Sequence, residues 1–535
     1  MNPQVLIAGA GPTGLTLGID LARRGVRVRI VEQSASFFDG SRGDGLQPRT
    51  LEVFDDLGVL DAVLAAGTRL PAMHVFLGGQ FVMERRMSEW REPTPEIPQP
   101  NAWVLGQSDT EGLLRDRLAE FGVQVELATA LVDFAADEQG VTVRLSHEGV
   151  EESVRADYLV GADGGRSTVR KALGIAFEGT TDESIRMLLG DVRADALDHG
   201  NGYWFAEAES PMEGIVMSPL PGGRKFQFAA PLTGEAEPTL AVLQDYLTLR
   251  SHREDIELTD LSWSTVWRPN IRLAERFRIG RVFLAGDAAH AHPPTGGQGL
   301  NTGVQDAYNL GWKLEAALHD PSPATAALLD TYETERRAIA AQILGVSSEL
   351  LDKTVNGEAD AMDRDHTHQL DLTYRNLMPR SASAGDGAGL LRAGDRAPDS
   401  PLIDVDGSTV RLFDLFRGPH ATVLLFGDAT SRAVTTPSTV ARGIDEPRHA
   451  ATQTVGSGGV LTASAPEALS QSGRGATWPR TRVVRVAAAG SADSPADGAD
   501  QVLVDGAGHA HRAYGITGAA VVLVRPDGYV GELIR

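Results

Sequence analysis

Residues 5–14 read VLIAGAGPTG, and their spacing decides the architecture of the N-terminal region. A short apolar run feeds Gly9, Gly11 and Gly14, and the amphipathic stretch Leu15 to Arg24 follows. The pattern predicts a strand, a tight turn and a helix. Glycines at these places let the backbone turn sharply and let a pyrophosphate come close. The helix start offers free N–H groups and a positive dipole end to that anion. A second apolar run, VRVRIVE, ends at Glu32, at about the twenty-residue spacing where a carboxylate accepts a ribose hydroxyl. The opening βαβ unit is therefore read as a site for an adenine dinucleotide.

The chain has 535 residues, more than one hydrophobic core accommodates, so several domains are expected. Hydrophobic residues make up 42% and charged residues 23%, the balance of a globular protein. A formal charge of -23 speaks against a nucleic-acid partner, because phosphate binding needs a basic footprint. It suits a neutral or hydrophobic small molecule better than a polyanion. The absence of cysteine excludes disulfides, thiolate catalysis, Cys-ligated zinc and iron–sulfur clusters. The first strand begins at about residue 4 or 5, which leaves no room for a leader. No apolar run approaches the roughly 18 residues of a spanning helix. A cytoplasmic protein without a membrane partner is the expectation.

Residues 1–175 read as an α/β nucleotide-binding region. From 176 to 275 the pattern changes to short runs broken by Gly and Pro, RMLLGDVR, YWFAEA, EGIVMSPL and KFQFAA, which predict a mainly antiparallel sheet. Residues 276–380 return to the first domain. RVFLAGD is a strand, and GLNTGVQDAYNLGWKLEAALH is a helix with an inward stripe of Leu300, Val304, Ala307, Gly311, Leu314 and Leu318. A further helix is expected over about 323–355, and the linker SASAGDGAG occupies 381–389. Residues 390–535 form a separate unit with candidate strands ATVLLFG, TRVVRVA, QVLV and AAVVLV and a turn at RPDG, 525–528. Within it, 428–480 is a long Ser/Thr/Gly/Ala-rich stretch of weak periodicity, read as a partly ordered insertion.

Two more motifs join the first. In YLVGADGGRSTVR, 158–170, a buried strand delivers Asp163 and Gly164 to its tip, with Arg166 and Arg170 beyond. In RVFLAGDAAHAHPPTGGQGLN, 281–301, a strand ends in Gly286 and Asp287, and a Pro/Gly-rich loop leads into a helix. GAGPTG, GADG and GDAAHAHPPTGGQGLN together resemble the class A flavin-dependent aromatic monooxygenases, the para-hydroxybenzoate hydroxylase-like fold, over about residues 1–375. AGDRAPDSPL at 393–402 and VRPDGYVG at 524–531 resemble the thioredoxin-like domain of phenol hydroxylase and of aromatic polyketide hydroxylases, the antibiotic-tailoring branch. Lacking cysteine, such a domain has no CxxC motif and performs no disulfide exchange.

The resemblance implies a Rossmann-like FAD-binding domain, discontinuous over 1–175 and 276–380, an inserted substrate-binding middle domain at 176–275, and a thioredoxin-like domain at 390–535. It implies that Gly9, Gly11, Pro12, Thr13 and Gly14 hold the FAD pyrophosphate, and that Glu32 and Gln33 meet the adenosine end. Arg42 matches an arginine on a mobile loop near the flavin, Gln107 a glutamine at the ribityl chain, and Asp163 the aspartate used near FAD and the nicotinamide donor. Asp287 would bind a ribityl hydroxyl, and Pro294 with Gly297, Gln298, Gly299, Leu300 and Asn301 would lie along the isoalloxazine. Physics supports the last placement, because a helix start aims N–H groups at the charge of a reduced flavin.

The implied activity is hydroxylation of a polycyclic aromatic polyketide by FAD, NADPH (or NADH) and O2 through a flavin C4a-hydroperoxide. Arg42, Arg49 and Pro294 are the candidates for a direct part in catalysis, and Trp204, Phe205, Met217, Phe226 and Phe228 for the substrate cavity. Core packing is an equal reading for those five. Two alternatives stay open: Baeyer–Villiger oxygenation of a polyketide ketone, and an FAD-binding protein without turnover. A homodimer is also left open. The WxWxIP pattern of flavin halogenases does not occur.

Other signals read as structural. His290 and His292 lack a ligand spacing for a metal, as do Asp363, Asp365, His366 and His368 in DRDHTHQ. Arg23, Arg24, Arg27 and Arg29 read as a solvated surface.

Overall fold

The three motif strands lie side by side. A computed structural model describes residues 2–41, 43–211, 213–293, 296–356, 358, 364, 367–377, 390–427, 480–489 and 499–535. Its six-stranded sheet runs Arg278–Ile279, Val282–Leu284, Tyr158–Gly161, Val5–Ala8, Val28–Val31, Val125–Glu126. Every neighbouring pair is parallel except the first. The strands that lead into the three motifs are wholly buried, as uninterrupted apolar runs require in a parallel sheet covered on both faces. Ala8 stands opposite Gly161, and Gly161 opposite Leu284. The sheet therefore brings GAGPTG, GADG and GDAA to one place beyond the carboxyl ends of its strands, where open α/β sheets bind ligands.

The chain divides into two compact units. The first comprises Met1–Glu92, Gln99–Tyr308 and Arg336–Gln369, and the second Pro93–Pro98, Asn309–Glu335 and Leu370–Arg535. The first unit also contains a seven-stranded sheet in the order Thr259–Trp267, Met187–Arg193, Lys225–Pro231, Ile215–Pro219, Gly202–Ala206, Met73–Leu77, Gln80–Arg85. It is antiparallel except where Gly202–Ala206 meets Met73–Leu77. Alternation along its strands separates two faces. Phe205, Met217, Phe226 and Phe228 share the face that packs with Leu243 and Leu247 of the helix Leu240–Ser251, and none has exposed surface. This corrects their reading as cavity residues: they are the sheet's core. Trp204 points to the other face, and its indole donates to the Pro211 carbonyl at 3.0 Å.

The second unit holds a seven-stranded sheet ordered Thr409–Arg411, Pro401–Ile403, Gln501–Asp505, Thr481–Ala488, Ala421–Phe426, Ala520–Val524, Val530–Ile534. Its three inner strands Gln501–Asp505, Thr481–Ala488 and Ala421–Phe426 are parallel, and a hairpin of Ala520–Val524 and Val530–Ile534 continues them antiparallel. Apolar clusters cover both faces. A buried charge cluster belongs to the same unit. Glu335 accepts from Lys313 at 2.8 Å and from both terminal nitrogens of Arg525 at 2.8 and 2.9 Å, and Arg525 also binds Asp527.

Two expectations change. The helix Gln298–His319 has no single inward stripe, since residues 301–317 are all buried. Two of its charges are paired within the buried interior, Asp306 with Arg336 at 2.7 Å and Lys313 with Glu335. Arg24 is likewise buried against Asp20, and Arg23 bridges Asp20 and Asp56 at 2.6 and 2.5 Å. Among the described residues no helix is long and apolar enough to cross a membrane. The linker at 381–389 and nearly all of 428–480 lie outside the described residues, as do Asp363, Asp365 and His366.

Candidate active site

A cavity of about 940 Å³ opens at the tips of the motif strands, within the first unit. Its wall takes Gly9 to Thr13 from the first motif, Glu32 and Gln33 from the end of the second strand, Gln107, then Asp163 and Arg166, and finally Asp287, Gly299 and Leu300. Close backbone packing holds these segments together. A Cβ on Gly9 would lie 2.2 Å from the Ala162 carbonyl oxygen, and one on Gly14 would lie 2.1 Å from the Gly9 carbonyl oxygen. Gly14 is thus a packing glycine and stands off the wall. Thr13 is the common point of the first and third motifs: added methyls on Gly286 and Gly303 would stand 2.4 and 2.3 Å from its Oγ1. Arg170 ties the second motif to the third, donating to the carbonyls of Gly165 and Ala288, each at 2.8 Å.

Gly11 is different, because a Cβ there would meet nothing. It precedes the helix Pro12–Arg23, whose start has no side-chain cap. Bare backbone and uncapped N–H groups make a seat for an anion. Beside it Glu32 is fixed by main chain, accepting from the Ala10 amide at 3.1 Å and the Ser34 amide at 2.9 Å. Gln107 opens the helix Gln107–Glu120 and donates to Glu111 at 2.8 Å.

Asp163 is divided between two tasks. Its Oδ2 accepts from the amides of Thr168 and Val169 at 2.7 and 3.1 Å and so caps the helix Thr168–Ala172. Its Oδ1 is buried and has no partner among the described residues. A buried acceptor left without a donor costs about 1–3 kcal/mol, so this oxygen is built to receive one. The open glycine at a helix start, the carboxylate fixed at the end of the second strand and the orphaned Asp163 oxygen fit the donor and acceptor set of a flavin dinucleotide.

Three residues expected at the cofactor face elsewhere. Gln298 turns inward, donating to the Gly296 and Thr367 carbonyls and accepting from Gln369 at 2.6 Å. Asn301 is a brace: it accepts from the Gln47 amide at 2.8 Å and donates to the Gly45 and Gly297 carbonyls at 2.8 and 2.6 Å. Gly297 lies beside Gln47 rather than on the wall. Arg49, a catalytic candidate, is buried in a pair with Glu52 at 2.7 Å and does not reach the wall. For Gln298 and Asn301, a helix start buried on several sides turns polar side chains toward neighbouring backbone instead of the cavity. Arg42 and Pro294 lie outside the described residues.

His290 and His292 bind each other. His292 Nε2 lies 2.9 Å from His290 Nδ1, and His290 Nε2 lies 2.6 Å from Asp306, which Arg336 holds from its other oxygen. Burial, and after it the charge of His290, holds the His292 imidazole well below its ordinary range.

Sequence reasoning missed the aromatic part of the wall. Phe37 and Phe38 follow the second strand, and Trp263 comes from the edge strand of the seven-stranded sheet. Phe38 and Trp263 meet edge to face at 5.8 Å. The only signal available was the doublet FF at 37–38 in an otherwise polar loop, since nothing local tells a wall tryptophan from a core one.

Comparison with known proteins agrees with this geometry. Residues 2–347 match a family described as FAD binding domain. The chain belongs to that family. It is 46% identical over 434 residues to a flavin-dependent monooxygenase of Mycobacteroides abscessus, covering 79% of this chain and 88% of the relative. A rifampicin monooxygenase of Streptomyces venezuelae is 39% identical over 349 residues, 64% of this chain and 69% of the relative. Among solved structures, a ternary complex of aklavinone-11 hydroxylase with FAD and aklavinone aligns with a TM-score of 0.74 at 27% identity, covering 99% of this chain and 95% of that one. The protein is a flavin-dependent monooxygenase.

Proposed function

We propose that this enzyme hydroxylates polycyclic aromatic, polyketide-type small molecules and consumes NAD(P)H and dioxygen. The observation that carries the reading is the meeting of three motif strands at one cavity that also has an aromatic wall. The substrates named for the relatives, rifampicin and aklavinone, are large and multi-ringed and supply the substrate class.

Gly9, Gly11, Pro12 and Thr13 would hold the pyrophosphate, and Glu32 with Gln33 the adenosine end. Gln107, Asp163 and Asp287 would hold the polar chain between pyrophosphate and ring, and Gly299 with Leu300 the ring edge. Bound flavin would accept a hydride from reduced nicotinamide and activate dioxygen, and that chemistry is the cofactor's. The protein contributes binding, orientation and exclusion of water. The N–H groups and dipole at the start of the helix Gln298–His319 favour negative charge beside Gly299. Phe37, Phe38 and Trp263 offer flat apolar surface to an aromatic substrate.

Residues 390–535 are assigned to a thioredoxin-like domain of structural role. The parallel strands continued by an antiparallel hairpin support this, and a sequence without cysteine offers no exchange chemistry.

The test uses the purified full chain loaded with FAD. Polycyclic phenols are screened for stimulation of NADPH or NADH oxidation, matched oxygen uptake, and a product heavier by one oxygen. A phenolic product supports the reading, whereas a lactone would show ring insertion instead. A protein that takes up no FAD from an excess refutes it.

A further inference from the structure

One carboxylate inside the helix Gln298–His319 reaches two points on the loop of the third motif. Asp306 has no exposed surface and stands off the cavity wall. Its Oδ2 accepts from the Gly286 amide at 3.0 Å and faces His290 Nε2 at 2.6 Å. Its Oδ1 accepts from Arg336 Nε at 2.7 Å, and Arg336 also donates to the Thr302 carbonyl at 3.3 Å, one turn earlier on the same helix. His290 Nδ1 then meets His292 Nε2 at 2.9 Å. The last atom of the row, His292 Nδ1, is buried and has no partner among the described residues.

The row begins where the motif turns into the cavity. Gly286 opens the short turn Gly286–Ala288, and its N–H is one that a helical turn leaves without an internal partner. Asp306 supplies that partner. At the other end of the turn Arg170 binds the Ala288 carbonyl at 2.8 Å. Asp287, between the two ties, lines the cavity. The row also ends beside the wall: an added Cβ on Gly299 would lie 3.8 Å from His292 Cβ and 3.9 Å from Asp287 Oδ1.

Protons order the row in one direction. Burial opposes the charge of Asp306, but His290 and Arg336 hold the carboxyl below its ordinary range. An ionised carboxylate only accepts, so His290 must carry a proton on Nε2. A neutral His290 then offers a lone pair at Nδ1, which takes the Nε2 proton of His292 and leaves His292 Nδ1 bare.

We infer that Asp306 is the positioning residue of the third motif: it holds the turn that carries Asp287 and sets the tautomers of His290 and His292 together. A carboxylate orients an imidazole in the same way in hydrolytic triads, where the amide substitution gives the wrong tautomer. Here an amide would keep its oxygen on Arg336, which can only donate, and turn its NH2 toward Gly286 and His290. The Gly286 amide then loses its acceptor. His290 must accept at Nε2 and donate from Nδ1, and His292 must in turn carry its proton on Nδ1. The His290 main chain, paired with Leu273, stays in place through this reversal.

The inference rests on the reading of the cavity as the FAD site, and its test separates the two. The FAD-free full chain, carrying 15N-labelled histidine, is followed by NMR at about pH 9, where an imidazole of ordinary pKa is neutral. His290→Gln and His292→Gln identify the two rings. Wild-type protein should show both rings protonated at Nε2, and Asp306→Asn should show both protonated at Nδ1. Titration with FAD should give a Kd about tenfold weaker for Asp306→Asn, whose Gly286 amide is unpaired. His290→Gln leaves that amide on Asp306 and should bind within about threefold of wild type. Wild-type rings protonated at Nδ1 overturn the inference without any variant. So do unchanged tautomers in Asp306→Asn, or an equal loss of FAD affinity in His290→Gln. A wild-type protein with the stated tautomers that binds no FAD would instead refute the assignment of the cavity and leave the Asp306 row standing.

Discussion

Replacing Gly303 by alanine tests whether Thr13 is the point at which the first and third motifs lock. The new methyl would stand 2.3 Å from Thr13 Oγ1 and 3.2 Å from the Gly286 Cα, whereas ordinary contact begins at 3.4 Å. The helix that carries Gly299 and Leu300 must therefore move by about 1 Å from the helix that begins at Pro12. Thr13 has few ways to turn aside, because one of its two other staggered rotamers only exchanges the hydroxyl for a methyl at this place. Overpacking of this kind costs about 1–3 kcal/mol. Helix propensity returns up to about 1 kcal/mol of that to overall stability, so the melting temperature is a poor readout. FAD affinity is a direct one, since binding must restore the original spacing. The expected loss is about 5- to 150-fold in Kd, at 1.4 kcal/mol for each factor of ten. Thr13→Ala removes the clashing atom and leaves its Cβ at 3.6 Å from the new methyl. The double variant Thr13→Ala/Gly303→Ala should then bind FAD within about threefold of Thr13→Ala alone, a coupling of order 1–3 kcal/mol. Titration of the FAD-free protein followed by flavin fluorescence gives all four constants. A wild-type Kd for Gly303→Ala, or a double variant as weak as the sum of the two single losses, would refute the reasoning.

Glu335→Gln should destabilise the second unit by about 3–5 kcal/mol, because it strips Lys313 and Arg525 of a shared buried partner. Adding Lys313→Met should recover part of that loss by leaving the Arg525–Asp527 pair balanced, and denaturant midpoints that show a cost below about 1 kcal/mol, or no recovery, count against it. His292 has a depressed folded-state pKa, so below its ordinary value of about 6.5 the unfolded chain binds more protons and stability is lost as pH falls. His292→Gln should flatten the decline of melting temperature between about pH 6.5 and 5, and an unchanged slope would show that the acid limb belongs to other groups.

The amino-acid order alone settled what is local. Apolar runs ending in GAGPTG, GADG and GDAA announce buried parallel strands, and a parallel sheet carries its binding residues at the strand tips whatever the rest of the chain does. Hence Gly9, Gly11, Glu32, Asp163 and Asp287 could all be named before any fold was known, and all five line the cavity. Tertiary structure decided everything that depends on which way a side chain turns. Period-two alternation in KFQFAA marks two faces but does not say which one meets a ligand, and Phe226 and Phe228 took the face covered by a helix while Gln227 took the other. The polar residues at the start of the Gln298–His319 helix, read as cofactor contacts, became braces because loops remote in sequence presented carbonyls to them. Trp263 and Phe38 meet across more than two hundred residues, and only the packing of a sheet edge against a loop could bring them to one cavity wall. Such contacts leave no local signature, because their energy comes from groups that adjoin only after the chain has folded.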